Sequence, residues 1–209
     1  MAVYLPNGSI VSIASGYGSA KTITAISNAA AGVVTAAAHG FSDGDIVEVT
    51  SGWSRLTDKV LRVDNATSGT FEMEGINTTS TSIYPSGGGT GSVREVTGWT
   101  QLAQITNSTS SGGEQQFLEY QFLESDSSKR IPTFKNAAGI EFEVADDPSL
   151  PGYILAKEAN DDRLPRAVRI QLASGAVLLY NAYVSLSTIP SLTVNQLMTN
   201  QVTLSLLAE

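Results

Sequence analysis

Side chains suited to catalysis or metal binding are scarce in this chain, which has one histidine, His39, and no cysteine. A histidine can serve as a general base, but His39 stands in a His-Gly-Phe sequence typical of a turn. No Gly-x-Ser-x-Gly nucleophile motif accompanies it, and the usual zinc sites need several Cys or His ligands. The sequence therefore predicts a structural role for His39 in a hairpin turn and indicates that the chain is not an enzyme.

The remaining candidates for chemistry are two acidic pairs, Asp146-Asp147 and Asp161-Asp162. Both lack the alternating oxygen-ligand spacing of a calcium loop. They flank a predicted short helix at residues 148–159, where an aspartate can cap the start and a proline is tolerated in the first turn. The glycine run at residues 87–91 is not a phosphate-binding loop, because no Gly-Lys-Ser/Thr follows it. The sequence thus predicts no cofactor and no metal.

The composition predicts a folded, mainly β protein. Apolar residues make up 42% and charged residues 15% of the 209 positions, enough to bury a core and too little charge for disorder. Nineteen glycines and recurrent Val, Ile and Thr favour many short strands joined by turns. No secretory signal and no apolar run of membrane-spanning length is present. We therefore expect a soluble protein made in a cytoplasm.

The net charge of −8 argues against a nucleic-acid-binding protein, since such proteins usually carry a basic face. Lys129-Arg130 is the only adjacent basic pair. An acidic surface is compatible with a wall past which DNA slides without binding.

The chain divides into three regions that differ in composition and strand pattern. Residues 1–21 predict an N-terminal strand or arm. Residues 22–95 read as a small all-β module of short strands and turns, closed by a Gly/Ser-rich segment at residues 84–92 that is typical of a flexible linker. Residues 96–209 form the third region, with the clearest hairpin at residues 168–186 and a last strand through Val202, Leu204 and Leu206.

Two patterns in the third region predict which side of a strand and which side of the helix are packed. Ile140, Phe142 and Val144 alternate with Glu141 and Glu143, as in a half-buried strand. In the predicted helix, the residues expected on one packed side are Leu150, Ile154 and Lys157.

The segment of residues 108–136 has two possible interpretations. Leu118, Tyr120 and Phe122 alternate with Glu119 and Gln121, which indicates an extended strand, yet its other side also carries Phe117 and Leu123. Such a strand is either a core strand or part of a long loop that docks on the next subunit. With no helix signal and no tight turn, we expect residues 117–135 to be mobile in the monomer.

These patterns resemble the major tail tube proteins of long-tailed bacteriophages. The matching runs are Arg-Ile-Pro-Thr-Phe-Lys-Asn at residues 130–136, Glu-Phe-Glu-Val-Ala-Asp-Asp-Pro at 141–148, Gly152, Leu155, Val-Arg-Ile-Gln-Leu at 168–172, Gly175, and Tyr-Asn-Ala-Tyr-Val-Ser at 180–185. The middle region is similar to a small β module of phage structural proteins, through Ala-His-Gly-Phe at 38–41, Asp-Gly-Asp-Ile-Val at 43–47, Val-Leu-Arg-Val at 60–63 and Thr-Phe-Glu-Met at 70–73.

The resemblance implies a tail-tube β-sandwich with one short helix, interrupted by an inserted module at residues 22–95 that decorates the tube surface between glycine hinges. Six copies would form a ring whose inner sheets close into a barrel, and the rings would stack into a conduit for DNA ejection. Implied partners are further copies, tape measure and tail terminator proteins, and DNA that passes without specific binding; the protein would be in the virion tail, without a membrane. Implied channel-facing acids are Glu141 and Glu143. The implied subunit-contact residues are Phe117, Leu118, Tyr120, Phe122, Arg130, Ile131, Phe134 and Lys135.

Two other functions fit the same patterns. One is a different virion part, such as a terminator or collar protein, which would not form long tubes. The other is a carbohydrate-binding adhesion module in which Trp53, Trp99 and Tyr84 stack on sugars, although tryptophans in separate segments are more often core residues. An enzyme is the most remote reading.

Overall fold

The structure is a computed structural model that describes residues 7–208, and the first part of the expected N-terminal arm lies outside the described residues. Strands account for 49% and helix for 6% of the chain, so the prediction of a mainly β fold with a short helix is confirmed. The strands are β1 (Ile10–Tyr17), β2 (Lys21–Ile23), β3 (Ala25–Ile26), β4 (Val33–Thr35), β5 (Ile46–Ser51), β6 (Lys59–Asp64), β7 (Thr70–Met73), β8 (Gly91–Leu102), β9 (Ile105–Ser111), β10 (Gln115–Tyr120), β11 (Lys129–Lys135), β12 (Gly139–Ala145), β13 (Pro165–Gln171), β14 (Val177–Leu186) and β15 (Thr199–Ala208), with helix α1 (Pro151–Asp162) between β12 and β13.

Seven strands form an antiparallel sheet in the order β8-β1-β13-β14-β15-β12-β9, which we call the tube sheet; at β8 it continues into the strands of the middle region through β5. One face of this sheet packs against α1. Alternate residues of each strand point to this face, as the sequence predicts for β12, β14 and β15. The buried residues of this core are Val11, Ile13, Leu102, Phe142, Val144, Leu155, Ala156, Ala159, Val168, Ala182, Val184, Leu186, Val202 and Leu204.

The β13–β14 hairpin predicted from the sequence is confirmed, with Gln171 opposite Val177 and Pro165 opposite Tyr183. Gly175 has a φ of +87°, a conformation that glycine adopts without the steric cost that a Cβ atom would bring.

Helix α1 differs in detail from its prediction. Pro151 occupies the first turn as expected, but the helix starts after Leu150 and neither aspartate caps it. Asp147 instead accepts hydrogen bonds from the backbone N–H (3.1 Å) and hydroxyl (2.6 Å) of Ser149, and these bonds lower the pKa of Asp147. The predicted packed side is wrong, because Ile154 is 47% exposed. The buried helix residues are Gly152, Leu155, Ala156 and Ala159.

The middle region has a separate core around Phe71, Met73 and Trp53. Its Gly/Ser-rich end is packed rather than free, which corrects the prediction of a flexible linker. The indole Nε1 of Trp53 donates a 2.8 Å hydrogen bond to the carbonyl of Pro85, and β8 begins at Gly91. A Cβ atom on Gly91 would lie 2.0 Å from the carbonyl oxygen of Thr50, so the glycine permits close backbone contact.

His39 lies in the connection between β4 and β5, where its side chain contacts the core of the middle region. These two strands pair with other strands and not with each other, so the expected hairpin turn at His39 is wrong. The imidazole is buried, its Nδ1 accepts a 3.0 Å hydrogen bond from the backbone N–H of Phe41, and the ring packs against Phe41 and Phe71. These contacts make His39 part of the module core.

The two cores meet along β8, which runs continuously through residues 95 and 96. Around this junction, Ala14, Val60, Val96 and Ala167 form a third buried cluster on the tube-sheet face opposite α1. A polar network lies beside it. The buried carboxylate of Glu48 pairs with Arg94 (2.7 Å) and accepts a 3.2 Å hydrogen bond from the amide of Asn181.

Tyr17 joins this network. The guanidinium of Arg94 stacks over its ring at 4.0 Å, and its hydroxyl accepts a 2.8 Å hydrogen bond from the backbone N–H of Ala167. Burial raises the pKa of the Tyr17 phenol. The network therefore ties β5 of the middle region to β13 and β14 of the tube sheet.

Candidate subunit-contact surfaces

Strands β10 and β11 form a two-stranded hairpin separate from the tube sheet. The chain leaves β9 at Gly112, whose φ is +77° and whose absent Cβ would lie 2.0 Å from the carbonyl oxygen of Ala137. Only glycine fits at this position, where the two segments at the base of the hairpin lie close together, without displacing the backbone. Across the hairpin, Leu118 lies opposite Ile131 and Tyr120 opposite Lys129. An extended strand at this position is confirmed, and it has a paired strand that the sequence pattern did not indicate.

The hairpin is apolar and exposed on both faces, so the core-strand interpretation is wrong. Phe117 and Leu118, which point to opposite faces, are 55% and 58% exposed, and Phe134 is 67% exposed. At the tip, Phe122 packs edge-to-face against Tyr120 with ring centroids 5.3 Å apart, while Leu123 is fully exposed. The side chains have no core to enter because β10 and β11 pair only with each other in the described chain.

The basic residues of the hairpin lie on β11. Arg130 approaches Glu119 at 3.7 Å, and both side chains are more than half exposed. An exposed pair of this kind contributes about 0–1 kcal/mol to stability. Lys135 lies at the base of β11, opposite Gln115. All eight residues expected at a subunit contact are therefore in or next to this one hairpin.

Glu141 and Glu143 lie on β12, on the face opposite the α1 core. Glu143 accepts a 2.6 Å hydrogen bond from the Thr199 hydroxyl, and Glu141 accepts one of 2.9 Å from the Gln201 amide. The neighbouring side chains on this face of β9, β12 and β15 are uncharged polar groups, namely Asn107, Thr109, Thr199, Gln201 and Thr203. In this part of the described chain the face is acidic, and no lysine or arginine neutralises it.

The middle module covers another part of the same sheet face. Asn181 and Leu179 on β14 contact the module, and the end of β15 at Ala208 lies near Lys59 of β6, whereas the part around Glu141 and Glu143 lies outside these contacts. Two strand pairings separate β14 from β12. At about 20–25° of twist per pairing, the two parts of the face point about 40–50° apart. The sheet twist therefore permits the module and the two glutamates to face different surroundings.

Strand β9 is the last strand of the tube sheet and pairs only with β12 among the described residues. Beyond Ile105 its sequence is Thr-Asn-Ser-Thr-Ser-Ser, and all six residues are exposed. Charges and prolines usually protect an edge strand from pairing with other chains, and β9 has neither. Its outer edge is thus available to a strand of another copy.

The connection between β14 and β15, residues 187–198, is a second exposed apolar segment, which we call the distal loop. It contains no charged residue. The sequence pattern gives no signal for this surface, because its apolar residues follow neither a strand nor a helix period. Its exposed large side chains are Ile189 (83%), Leu192 (77%), Val194 (85%), Leu197 (64%) and Met198 (43%).

The tryptophans do not form a sugar-stacking platform. Trp53 is 2% exposed and packs edge-to-face against Tyr84, with ring centroids 5.1 Å apart. Trp99 lies in the junction, with the guanidinium of Arg169 4.7 Å from its ring centroid. Both indoles are therefore already in contact with protein groups.

The remaining candidates for chemistry stay apart in space. Within residues 7–208, no group of three or more His, Asp or Glu side chains is arranged to hold a metal ion. None of the helical segments in the described range has the length and apolar character needed to cross a membrane.

The comparisons with known proteins identify the family. Residues 51–209 match the family model described as phage tail tube protein, TTP. A search of curated proteins found no match for the chain. The matched region contains the hairpin, the acidic face, the distal loop and β9. The family is structural and not enzymatic, and its members are components of the virion tail. Because the match spans most of the sequence, the chain belongs to the phage tail tube protein family.

Proposed function

We propose that this chain assembles into hexameric rings that stack into the tail tube, the conduit through which phage DNA is ejected. The observation that carries the proposal is the β10–β11 hairpin, which exposes large apolar side chains on both faces. An isolated two-stranded hairpin is marginally stable in water, so its apolar faces favour a partner surface. Family membership supports copies of the same chain as that partner.

Lateral contacts within a ring would use the free edge of β9. Backbone pairing between edge strands of neighbouring copies gives a directional, repeatable contact. Such head-to-tail contacts close into rings when the rotation between copies completes a circle. The polar, uncharged β9 sequence removes the usual obstacles to this pairing.

The channel wall would be the open face of β9, β12 and β15, with Glu141 and Glu143 directed toward the lumen. Six copies would repeat these carboxylates around the bore. Their negative potential repels DNA phosphates, so DNA passes without specific binding. The proposal also includes division of the chain into an arm at residues 1–21, a surface module at residues 22–95 and a tube domain at residues 96–209.

The same proposal places the protein's synthesis in the host bacterial cytoplasm and its final position in the virion tail. Tape measure and tail terminator proteins would be its partners at the inside and the end of the tube.

Negative-stain electron microscopy of the purified protein over a concentration series tests the assembly. We expect rings and hollow tubes of uniform bore. Substitution of Phe117→Asp together with Phe134→Asp should abolish tubes, because it places charges on the apolar hairpin. The matched control is Ile83→Asp, an exposed apolar position of the module, which should leave tubes intact. Small closed oligomers that never stack would contradict the proposed tube.

A further inference from the structure

The exposed apolar surface of the described chain is concentrated in two segments. Of the nineteen exposed large hydrophobic residues, six lie in the β10–β11 hairpin and its tip and five lie in the distal loop. The hairpin is the contact used in the proposed function. The distal loop has no role in that proposal, and its apolar side chains contribute little to the folded monomer.

The two segments lie at opposite ends of the tube sheet. The hairpin leaves the sheet where Ser111 of β9 pairs with Gly139 of β12. The distal loop connects to the sheet where Ala145, at the other end of β12, pairs with Thr199. The backbone N–H of Asp146 donates a 2.9 Å hydrogen bond to the carbonyl of Met198, which holds the loop at that end. At about 3.3 Å per residue, the length of β12 separates the two segments by about 20 Å.

Head-to-tail stacking needs two different surfaces at opposite ends of the same molecule, because the contact repeats in one direction. The hairpin and the distal loop are such a pair. We propose that the distal loop is the docking site for the β10–β11 hairpin of a copy in the next ring. This inference rests on the proposed function and names the surface to which the hairpin binds.

The apolar character of both segments supports a second copy as the occupant. The distal loop has no charge of its own, so it presents an apolar centre to Phe122 and Leu123 at the hairpin tip. Asp146 borders the loop through its hydrogen bond to Met198. The hairpin carries Glu124 and Asp126 at its tip and Lys129 and Arg130 directly after it, so the apolar match and not charge pairing carries the assignment.

The area of the distal loop is too small for a stable contact between two isolated chains, but it suits a contact that is repeated around a ring. Burial of the five loop side chains removes roughly 300–600 Å² from water, at about 60–120 Å² for each large apolar side chain. A stable interface buries about 800 Å² on each partner. One hairpin–loop contact is therefore weak alone, but a ring makes several at once and gains from multivalency.

A complementation experiment tests the assignment. The loop variant carries Leu192→Asp and Val194→Asp, and the hairpin variant carries Phe122→Asp and Leu123→Asp. All four positions are exposed, and circular dichroism verifies that both variants fold. Each variant alone should form single rings without tubes. Mixed preformed rings should form pairs of rings, because the intact hairpins of one variant meet the intact loops of the other.

The outcomes separate this inference from the proposed function. Tubes formed by the loop variant, or a mixture that contains only single rings, would overturn the docking site while the tube itself stands. A wild-type chain that forms no rings or tubes would overturn the proposed function and the docking site together. The Ile83→Asp control should form tubes like the wild type.

Disulfide trapping gives an independent readout, since the natural chain has no cysteine. A chain with Leu123→Cys and Leu192→Cys should produce a ladder of linked subunits when assembled tubes are oxidised. The matched control, with Leu123→Cys and Ile83→Cys, should remain monomeric in denaturing gels. Equal ladders from both pairs, or none from the first pair in intact tubes, would contradict the docking.

Discussion

The middle module and the β10–β11 hairpin use similar strand patterns with opposite results. In the module, Phe71 and Met73 alternate with polar residues and are both fully buried. In the hairpin, Leu118 and Tyr120 alternate with Glu119 and Gln121, yet Leu118 is 58% exposed. The difference is the number of partner strands, because β7 has β4 and β6 beside it whereas β10 has only β11. An apolar strand face becomes a core only when other elements cover it.

From this difference we expect that the module's apolar residues stabilise the monomer, and we propose that the hairpin's apolar residues serve assembly. Phe71→Ala tests the stabilising role of the module core. This substitution should lower the free energy of unfolding of the module by about 3–5 kcal/mol, because it leaves a cavity in a packed core. Urea denaturation monitored by Trp53 fluorescence, in a Trp99→Phe background that leaves Trp53 as the one tryptophan, measures the change. A loss below about 1 kcal/mol would show that the module core is not cooperative.

The glycine run at the end of the module provides a second test, which asks whether this segment is packed or flexible. Gly91→Ala should destabilise the fold by about 1–3 kcal/mol, because the new methyl group would collide with the Thr50 carbonyl. Gly69→Ala is the matched control, since a Cβ atom there meets nothing within 4 Å. Thermal unfolding of both variants measures the difference. Equal stability of the two variants would restore the flexible-linker interpretation.

The junction tests whether the module and the tube sheet unfold together. Glu48→Ala should lower the free energy of unfolding by about 1–3 kcal/mol, because the buried amide of Asn181 loses its hydrogen-bond acceptor. Glu158→Ala, at an exposed helix position, should change it by less than about 0.5 kcal/mol. Hydrogen exchange in β5 and β14 measures the local effect. Unchanged protection in both strands would exclude a role of Glu48 in the junction.

The hairpin should show the smallest effect on the monomer. Phe134→Ala removes a side chain that is 67% exposed, so the free energy of unfolding should change by less than about 0.5 kcal/mol. The same variant should assemble poorly in electron micrographs, unlike Phe71→Ala chains that remain folded. A large loss of monomer stability would mean that the hairpin packs on the domain in solution.

Much of the fold follows from local patterns. Alternation predicted the buried face of β12 and β15 and placed Glu141 and Glu143 together on the opposite face. The Ser174-Gly175 turn predicted the β13–β14 hairpin, because turn residues and flanking alternation are adjacent in sequence. The apolar content of residues 115–135 also indicated strand, although it could not show whether that strand is covered.

The sequence by itself determined which residues can share a face, since side chains alternate along every strand. It also determined that the chain lacks the histidine and cysteine clusters of most catalytic and zinc sites. Tertiary structure decided that residues 84–92 pack against Trp53, that the hairpin extends from one end of the sheet, and that the distal loop lies at the other. The physical reason is that burial depends on which distant strands become neighbours, and strand pairing across long sequence separations leaves no local signature in the chain.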